Sequence, residues 1–130
     1  MNLHSMLQER EAGGRPIRVV LIGAGKFGSM YLSQARRTPG IQILAIADLA
    51  PDRARASLAR VGWEAERYAA RSIDEAARAG GTAIVDDAMK AIEHPATEVV
   101  IDATGHPAAG IAHALACCEN GKHKIGRAHV

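Results

Sequence analysis

Four short runs of nearly uninterrupted apolar residues recur along the chain: Ile17 to Ile22, Ile41 to Ile46, Thr82 to Val85 and Glu98 to Asp102. Runs of this length, apolar on both alternating faces, predict strands covered on both sides, as in a parallel sheet. The segments between them have helical spacing and helical punctuation. Lys26 to Arg37 is predicted as a helix stopped by Pro39-Gly40, with Arg36-Arg37 near its negative C-terminal end. Pro51 sits where a first helical turn begins, and that helix continues through Arg60 to Gly62. Ser72 with Glu75 forms a capping-box pattern for a further helix ending at Gly80-Gly81. Asp86 or Asp87 caps Ala88 to Glu93, which His94-Pro95 breaks, and Ala108 to Glu119 closes at Asn120-Gly121. Ahead of all this, Leu3, Met6 and Leu7 share one helical face, so residues 1–14 predict a short amphipathic helix ended by Gly13-Gly14. The order β-α-β-α-α-β-α-β-α, closed by right-handed crossovers, predicts an α/β fold: a doubly wound parallel sheet ordered 3-2-1-4.

The turn after the first strand gives that sheet a chemistry. Gly23-Ala-Gly25-Lys-Phe-Gly28 follows the strand directly and opens a helix, and Asp48 ends the next apolar run 20 residues past Gly28. In a Rossmann-type dinucleotide site the first glycine makes the turn and the second lets the pyrophosphate approach the backbone. The third lets the helix pack closely on the strand. The helix N-terminus, with its free N–H groups and positive dipole end, then receives the phosphate charge. An acid at the end of strand two accepts hydrogen bonds from the adenosine ribose hydroxyls and repels a 2′-phosphate, so Asp48 favours NAD and leaves NADP possible. Arg53 and Arg55 could reach such a phosphate, but solvated charges on a helix are the plainer expectation for both.

Composition narrows the class. The 130 residues are 48% hydrophobic yet only 3% aromatic, which suits tightly packed helices on a parallel sheet better than an antiparallel sandwich. With 16 basic and 14 acidic residues interspersed, the net charge is +2, and no basic block or aromatic interleaving calls for nucleic acid. No apolar run approaches the roughly 18 residues of a membrane span, and the polar start lacks a signal-peptide core. Cys117 and Cys118 are adjacent in a helical pattern and make no disulfide framework, so a cytoplasmic protein is expected. There is no internal repeat. Ile125 to Val130 is what ATC GGA AGA GCA CAC GTC encodes, the start of a common sequencing adapter. Residues 125–130 are therefore expected to be a non-native tail, residues 15–124 an incomplete nucleotide-binding domain, and the fifth strand of the sheet to be truncated. Strand four would then be an open edge prone to aggregation.

Other chemistry-bearing residues are sparse. Asp102-Ala-Thr-Gly-His-Pro107 ends strand four, at the edge where ligands lie in open α/β sheets, so Ala103, Thr104 and Gly105 could line the nicotinamide side. His106 could transfer a proton, though a helix-entry residue before Pro107 is the simpler reading. His113 and Cys117 are spaced to share a metal, but no further ligand has supporting spacing, so no metal site is expected. The loop lacks the Gly-Lys-Ser/Thr ending of an ATP-type P-loop, and no hydrolase or metalloprotease motif occurs.

Taken together, Leu7-Gln-Glu-Arg10, Ile22 to Gly28, Thr82 to Asp87, Val99 to Gly105 and Glu119 to His123 resemble one family. It is the homoserine-dehydrogenase-like oxidoreductases with a C-terminal SAF domain, which include 1-deoxy-D-xylulose 5-phosphate reductoisomerase-like enzymes. The resemblance implies an NAD(P)-dependent enzyme, homo-oligomeric at full length, acting on a small hydroxy-acid, polyol or sugar phosphate. It implies cofactor roles for Gly23, Gly25, Lys26, Phe27, Gly28, Asp48, Ala103, Thr104 and Gly105. Reductoisomerase-like members that use NADPH carry small or basic residues near position 48, from which Asp48 departs. Catalytic residues would lie in a substrate domain beyond residue 124, so none is assigned, and the piece is expected to bind cofactor without turnover. A regulatory NAD-sensing module shares the core motif, but the leading helix and the long insertion between strands two and three count against it. A methyltransferase also places an acid after strand two, yet the third glycine favours a dinucleotide.

Overall fold

The structure, a computed structural model, describes residues 16–23, 26–35, 38–104, 120–121 and 123–126. The predicted N-terminal helix and the helix from Ala108 lie outside the described residues. Strands β1 (Ile17–Ile22), β2 (Ile41–Ala47), β3 (Ala83–Val85), β4 (Val99–Asp102) and β5 (His123–Gly126) form one sheet in the order β3-β2-β1-β4-β5. Every neighbouring pair is parallel. Helices α1 (Lys26–Ala35), α2 (Pro51–Arg60), α3 (Ile73–Ala79) and α4 (Ala88–Glu93) connect them, with a 3₁₀ turn at Ala65–Tyr68.

The predicted order 3-2-1-4 holds, but the expectation of a truncated fifth strand does not: His123–Gly126 pairs with β4 from Val99↔His123 to Asp102↔Gly126. Setting residues 125–130 aside as a non-native tail leaves only His123 and Lys124 for such a strand. A parallel ladder, however, is built from main-chain N–H and C=O groups, so an extended segment can complete it whatever its side chains. The domain boundary placed after Lys124 therefore runs through β5, and β4 is not the sheet edge.

The apolar strands split between two cores. Val20, Ile22, Leu44 and Ala47 pack with Ile73 and Ala76 of α3 and Ala91 and Ile92 of α4. Val19, Leu21, Ile43 and Ile46 pack on the other face with Leu32 and Ala35 of α1, Ala54 and Leu58 of α2, and Trp63. Strand β2 breaks strict alternation: Val19 faces Ile43 but Val20 faces Ala45, so Leu44 is an extra, bulged residue. That bulge puts both Leu44 and Ala45 in the first core and returns Ile46 to the second. Leu21, Leu44, Ile46, Leu58 and Ile92 are fully buried, and each contributes on the order of 2 kcal/mol by leaving water.

Helix starts follow their local signals. Ser72 Oγ accepts the Glu75 N–H at 3.1 Å, while Glu75 Oε2 reaches back to the Arg71 N–H at 3.2 Å, one residue earlier than the capping box requires. Of the two candidate caps for α4, Asp87 serves, its Oδ1 accepting the Lys90 N–H at 3.2 Å. Removing the α3 cap with Ser72→Ala is expected to cost about 1 kcal/mol. Urea denaturation would register this as a lower midpoint at unchanged slope. The 3₁₀ turn was not expected. It carries Arg67, whose guanidinium stacks 4.3 Å from the Trp63 ring centroid, and Trp63 Nε1 donates to the Leu32 carbonyl at 3.0 Å. Among the described residues no helix is long and apolar enough to cross a membrane.

Candidate nucleotide site

Hydrogen bonds just past the strand ends align three of the expected site residues along the C-terminal edge of the sheet. Gly23 N–H donates to the Ala47 carbonyl at 2.8 Å, Asp48 N–H to Val85 at 2.9 Å, and Ala103 N–H to Ile22 at 2.8 Å. The ends of β3, β2, β1 and β4 are thereby tied side by side. Because β2 and β3 lie on one side of β1 and β4 on the other, the strand order reverses beside β1, where a crevice opens in such sheets.

The glycine turn has the geometry its motif demands. Gly23 adopts φ +88°, a conformation in which a side chain is strained. It stands against the loop after β4: a methyl here would meet the Ala103 carbonyl carbon and the Thr104 nitrogen at 3.4 Å. Gly28 is needed for a different reason, since a methyl on it would lie 2.5 Å from the Gly23 carbonyl oxygen. The start of α1 therefore rests directly on the turn, with its positive dipole end beside the crevice. Lys26 and Phe27 stand in that first turn, while Gly25 and Gly105 lie outside the described residues.

Asp48 occupies the end of β2 with its side chain wholly inaccessible. Its Oδ1 accepts the Ala50 N–H at 2.8 Å and Arg53 Nη2 at 2.8 Å. Arg53 is solvated as expected, its side chain 63% exposed, but it also folds back over Asp48, a contact not expected from the sequence. Arg55 does lie on an exposed face, paired with Asp52 at 3.0 Å. Helical spacing hid the Arg53 contact, because five residues apart they meet only through the turn that Ala50 and Pro51 make. Leu49 was also missed. It is 93% exposed beside Asp48, a large apolar side chain standing at the rim of the site. The available signal was an apolar residue immediately after a strand-ending acid, where a turn would normally be polar.

On the β4 side, Asp102 is buried and its Oδ1 accepts both the Thr104 N–H at 3.0 Å and the Thr104 hydroxyl at 2.7 Å. The turn so formed carries Ala103 and Thr104 past Gly23. His106, His113, Cys117 and Cys118 lie outside the described residues. A glycine with positive φ, a helix start in contact with it and a strand-ending acid on the same edge are the parts a dinucleotide requires. The residues present fit NAD(H): turn and helix start would take the pyrophosphate, and Asp48 would take the adenosine ribose once Arg53 moves off it.

Comparison with solved structures finds the same fold. An NAD binding oxidoreductase from Klebsiella pneumoniae is 21% identical at a TM-score of 0.59, the match covering 85% of this chain and 27% of that one. A myo-inositol dehydrogenase from Lactobacillus casei, in complex with NAD(H) and myo-inositol, is 15% identical at a TM-score of 0.63, covering 85% and 28%. A levoglucosan dehydrogenase in complex with NADH and levoglucosan is 26% identical at a TM-score of 0.59, covering 86% and 27%. This chain thus spans about a quarter of the length of these structures. A comparison with curated proteins finds no match. The family described as "Oxidoreductase family, NAD-binding Rossmann fold" matches residues 17–125, which takes in strands β1 to β4, most of β5 and the glycine turn, and the chain belongs to this GFO/IDH/MocA family.

Proposed function

We propose that this chain is the cofactor-binding part of an NAD(P)-dependent oxidoreductase that moves hydride between the nicotinamide and a small polyol, sugar phosphate or hydroxy-acid. The observation that carries this reading is the convergence of Gly23, Gly28 and Asp48 on one sheet edge. The bound cofactor supplies the hydride chemistry; the residues here bind and orient it. Substrate handling and the catalytic residues belong to sequence outside residues 16–126, and homo-oligomeric assembly of the whole enzyme goes with that reading. The polyol and sugar branch is supported by the levoglucosan and myo-inositol dehydrogenases, whose structures hold such compounds. The narrower homoserine-dehydrogenase-like reading, and with it a reductoisomerase-like activity, rests on the sequence motifs; the family match supports only the broader group. A regulatory NAD sensor would use the same edge.

Within the site, α1 and the glycine turn take the pyrophosphate and Leu49 offers an apolar surface to the adenine. Asp48 accepts the ribose hydroxyls. A carboxylate has about four acceptor positions, so a ribose can share Asp48 once Arg53 turns outward. A 2′-phosphate would meet Asp48 as a repulsive charge and Arg53 as an attractive one, which makes Arg53 the source of any residual NADP binding.

The test is titration with NADH and NADPH, followed by cofactor fluorescence. The wild-type chain is expected to prefer NADH. Arg53→Ala is expected to weaken NADPH about tenfold, the size of one charge-assisted hydrogen bond, and to leave NADH within about threefold. Unchanged NADPH affinity, or equal loss of both cofactors, would contradict the role given to Arg53.

A further inference from the structure

We propose that Asp102 is a positioning residue for the nicotinamide half of the cofactor. The inference rests on the dinucleotide reading above and extends it to a residue that touches neither pyrophosphate nor adenosine. The reasoning starts from the direction of the ligand. Adenosine is anchored at β2 by Asp48 and the pyrophosphate at the end of β1, so the other half of a dinucleotide continues over β4. What it meets there is the Ala103-Thr104 backbone, which already stands at van der Waals distance from the space above Gly23.

That backbone is held at two points: Ala103 N–H donates to the Ile22 carbonyl at 2.8 Å, and Asp102 holds Thr104. Asp102 Oδ1 takes both the N–H and the hydroxyl of Thr104, at 3.0 and 2.7 Å. The carboxyl group is itself fixed, because Asp102 is buried and its own main chain is locked between β1 and β5 in the ladder. Thr104 is therefore restrained in the turn, and Asp102 helps set the distance between the β4 loop and the glycine turn. An alanine would keep the strand but remove both of these bonds to Thr104, and the loop would hold its spacing from Gly23 less firmly. The consequence falls on ligands that extend over β4 and spares those that stop at the pyrophosphate.

The experiment compares NAD with ADP by calorimetry on the folded 130-residue chain. ADP carries the adenosine and pyrophosphate but no nicotinamide. Asp102→Ala is expected to weaken NAD about tenfold, as the loss of one or two ordinary hydrogen bonds would, while ADP changes less than about twofold. Asp102→Asn, which keeps an Oδ1 acceptor, is expected to restore NAD affinity. Equal losses for both ligands would show a merely structural role, and unchanged NAD affinity would show no role; either overturns the proposal. Should Asp102→Ala fail to fold, Thr104→Val removes the hydroxyl while keeping the shape. It is then expected to weaken NAD and spare ADP, and indifference to both ligands overturns the proposal. A wild-type chain that binds neither ligand would instead defeat the dinucleotide reading, and this inference with it.

Discussion

Gly28→Ala is expected to destabilise the domain by roughly 3 kcal/mol and to remove cofactor binding with it. Two effects compete at this position. Alanine is the better helix former, by about 1 kcal/mol. Against that, its methyl would sit 2.5 Å from the Gly23 carbonyl oxygen, a backbone atom that cannot rotate away. Gly23 cannot yield cheaply either. Its N–H is bonded to Ala47 and its far side faces the Ala103-Thr104 backbone. The alternative is for α1 to lift, which opens the core where Leu32 packs and strains the Trp63 bond to the Leu32 carbonyl. The clash should therefore outweigh the propensity gain. A large drop in the urea midpoint is the expected result, a substantial share of the roughly 5–15 kcal/mol a domain of this kind has available. A variant as stable as wild type would mean that α1 slides without cost and that Gly28 is not what brings the helix onto the turn.

Asp48→Ala is expected to act mainly on affinity. The loss of two charge-assisted hydrogen bonds to the adenosine ribose corresponds to roughly 2 kcal/mol, or about thirtyfold in the dissociation constant for NAD. The effect on folding should be smaller. The Ala50 N–H loses its acceptor and Arg53 its partner. Arg53 is 63% exposed, however, so water takes over most of what the pair contributed. NADP should suffer less than NAD, because the substitution also removes the charge that repels the 2′-phosphate. The ratio of the two affinities is thus the sharper reading, since general damage to the site would weaken both alike.

The fold was largely legible because its signals are local. The strand bounds of β1 and β2 follow from apolar runs that only a two-sided sheet can cover, and Ser72, Asp87 and Pro51 mark helix starts by their own chemistry. The glycine turn of the candidate site was legible where the backbone dictates the residue, by its conformation at Gly23 and by close approach at Gly28. What sequence reading missed depends on distant or main-chain partners. The 3₁₀ turn at Ala65–Tyr68 carries an arginine stacked on Trp63, whose ring is in turn fixed by α1. Strand β5 is written in backbone hydrogen bonds that composition does not encode. The bulge at Leu44 shows only in the register with β1. Arg53 reaches Asp48 across a turn, off the helical period that made it look like a solvated charge. Asp102 sat inside a motif noticed for its neighbours, and its hold on Thr104 appears only once the turn is formed.

The measurement that tests the dinucleotide site most directly is calorimetric titration of the folded chain with NAD and NADP, with Asp48→Ala alongside. Saturable binding that favours NAD, with the preference relaxed by the substitution, is the predicted result. A folded chain that binds neither cofactor, or one that binds NAD equally well with and without Asp48, would contradict it.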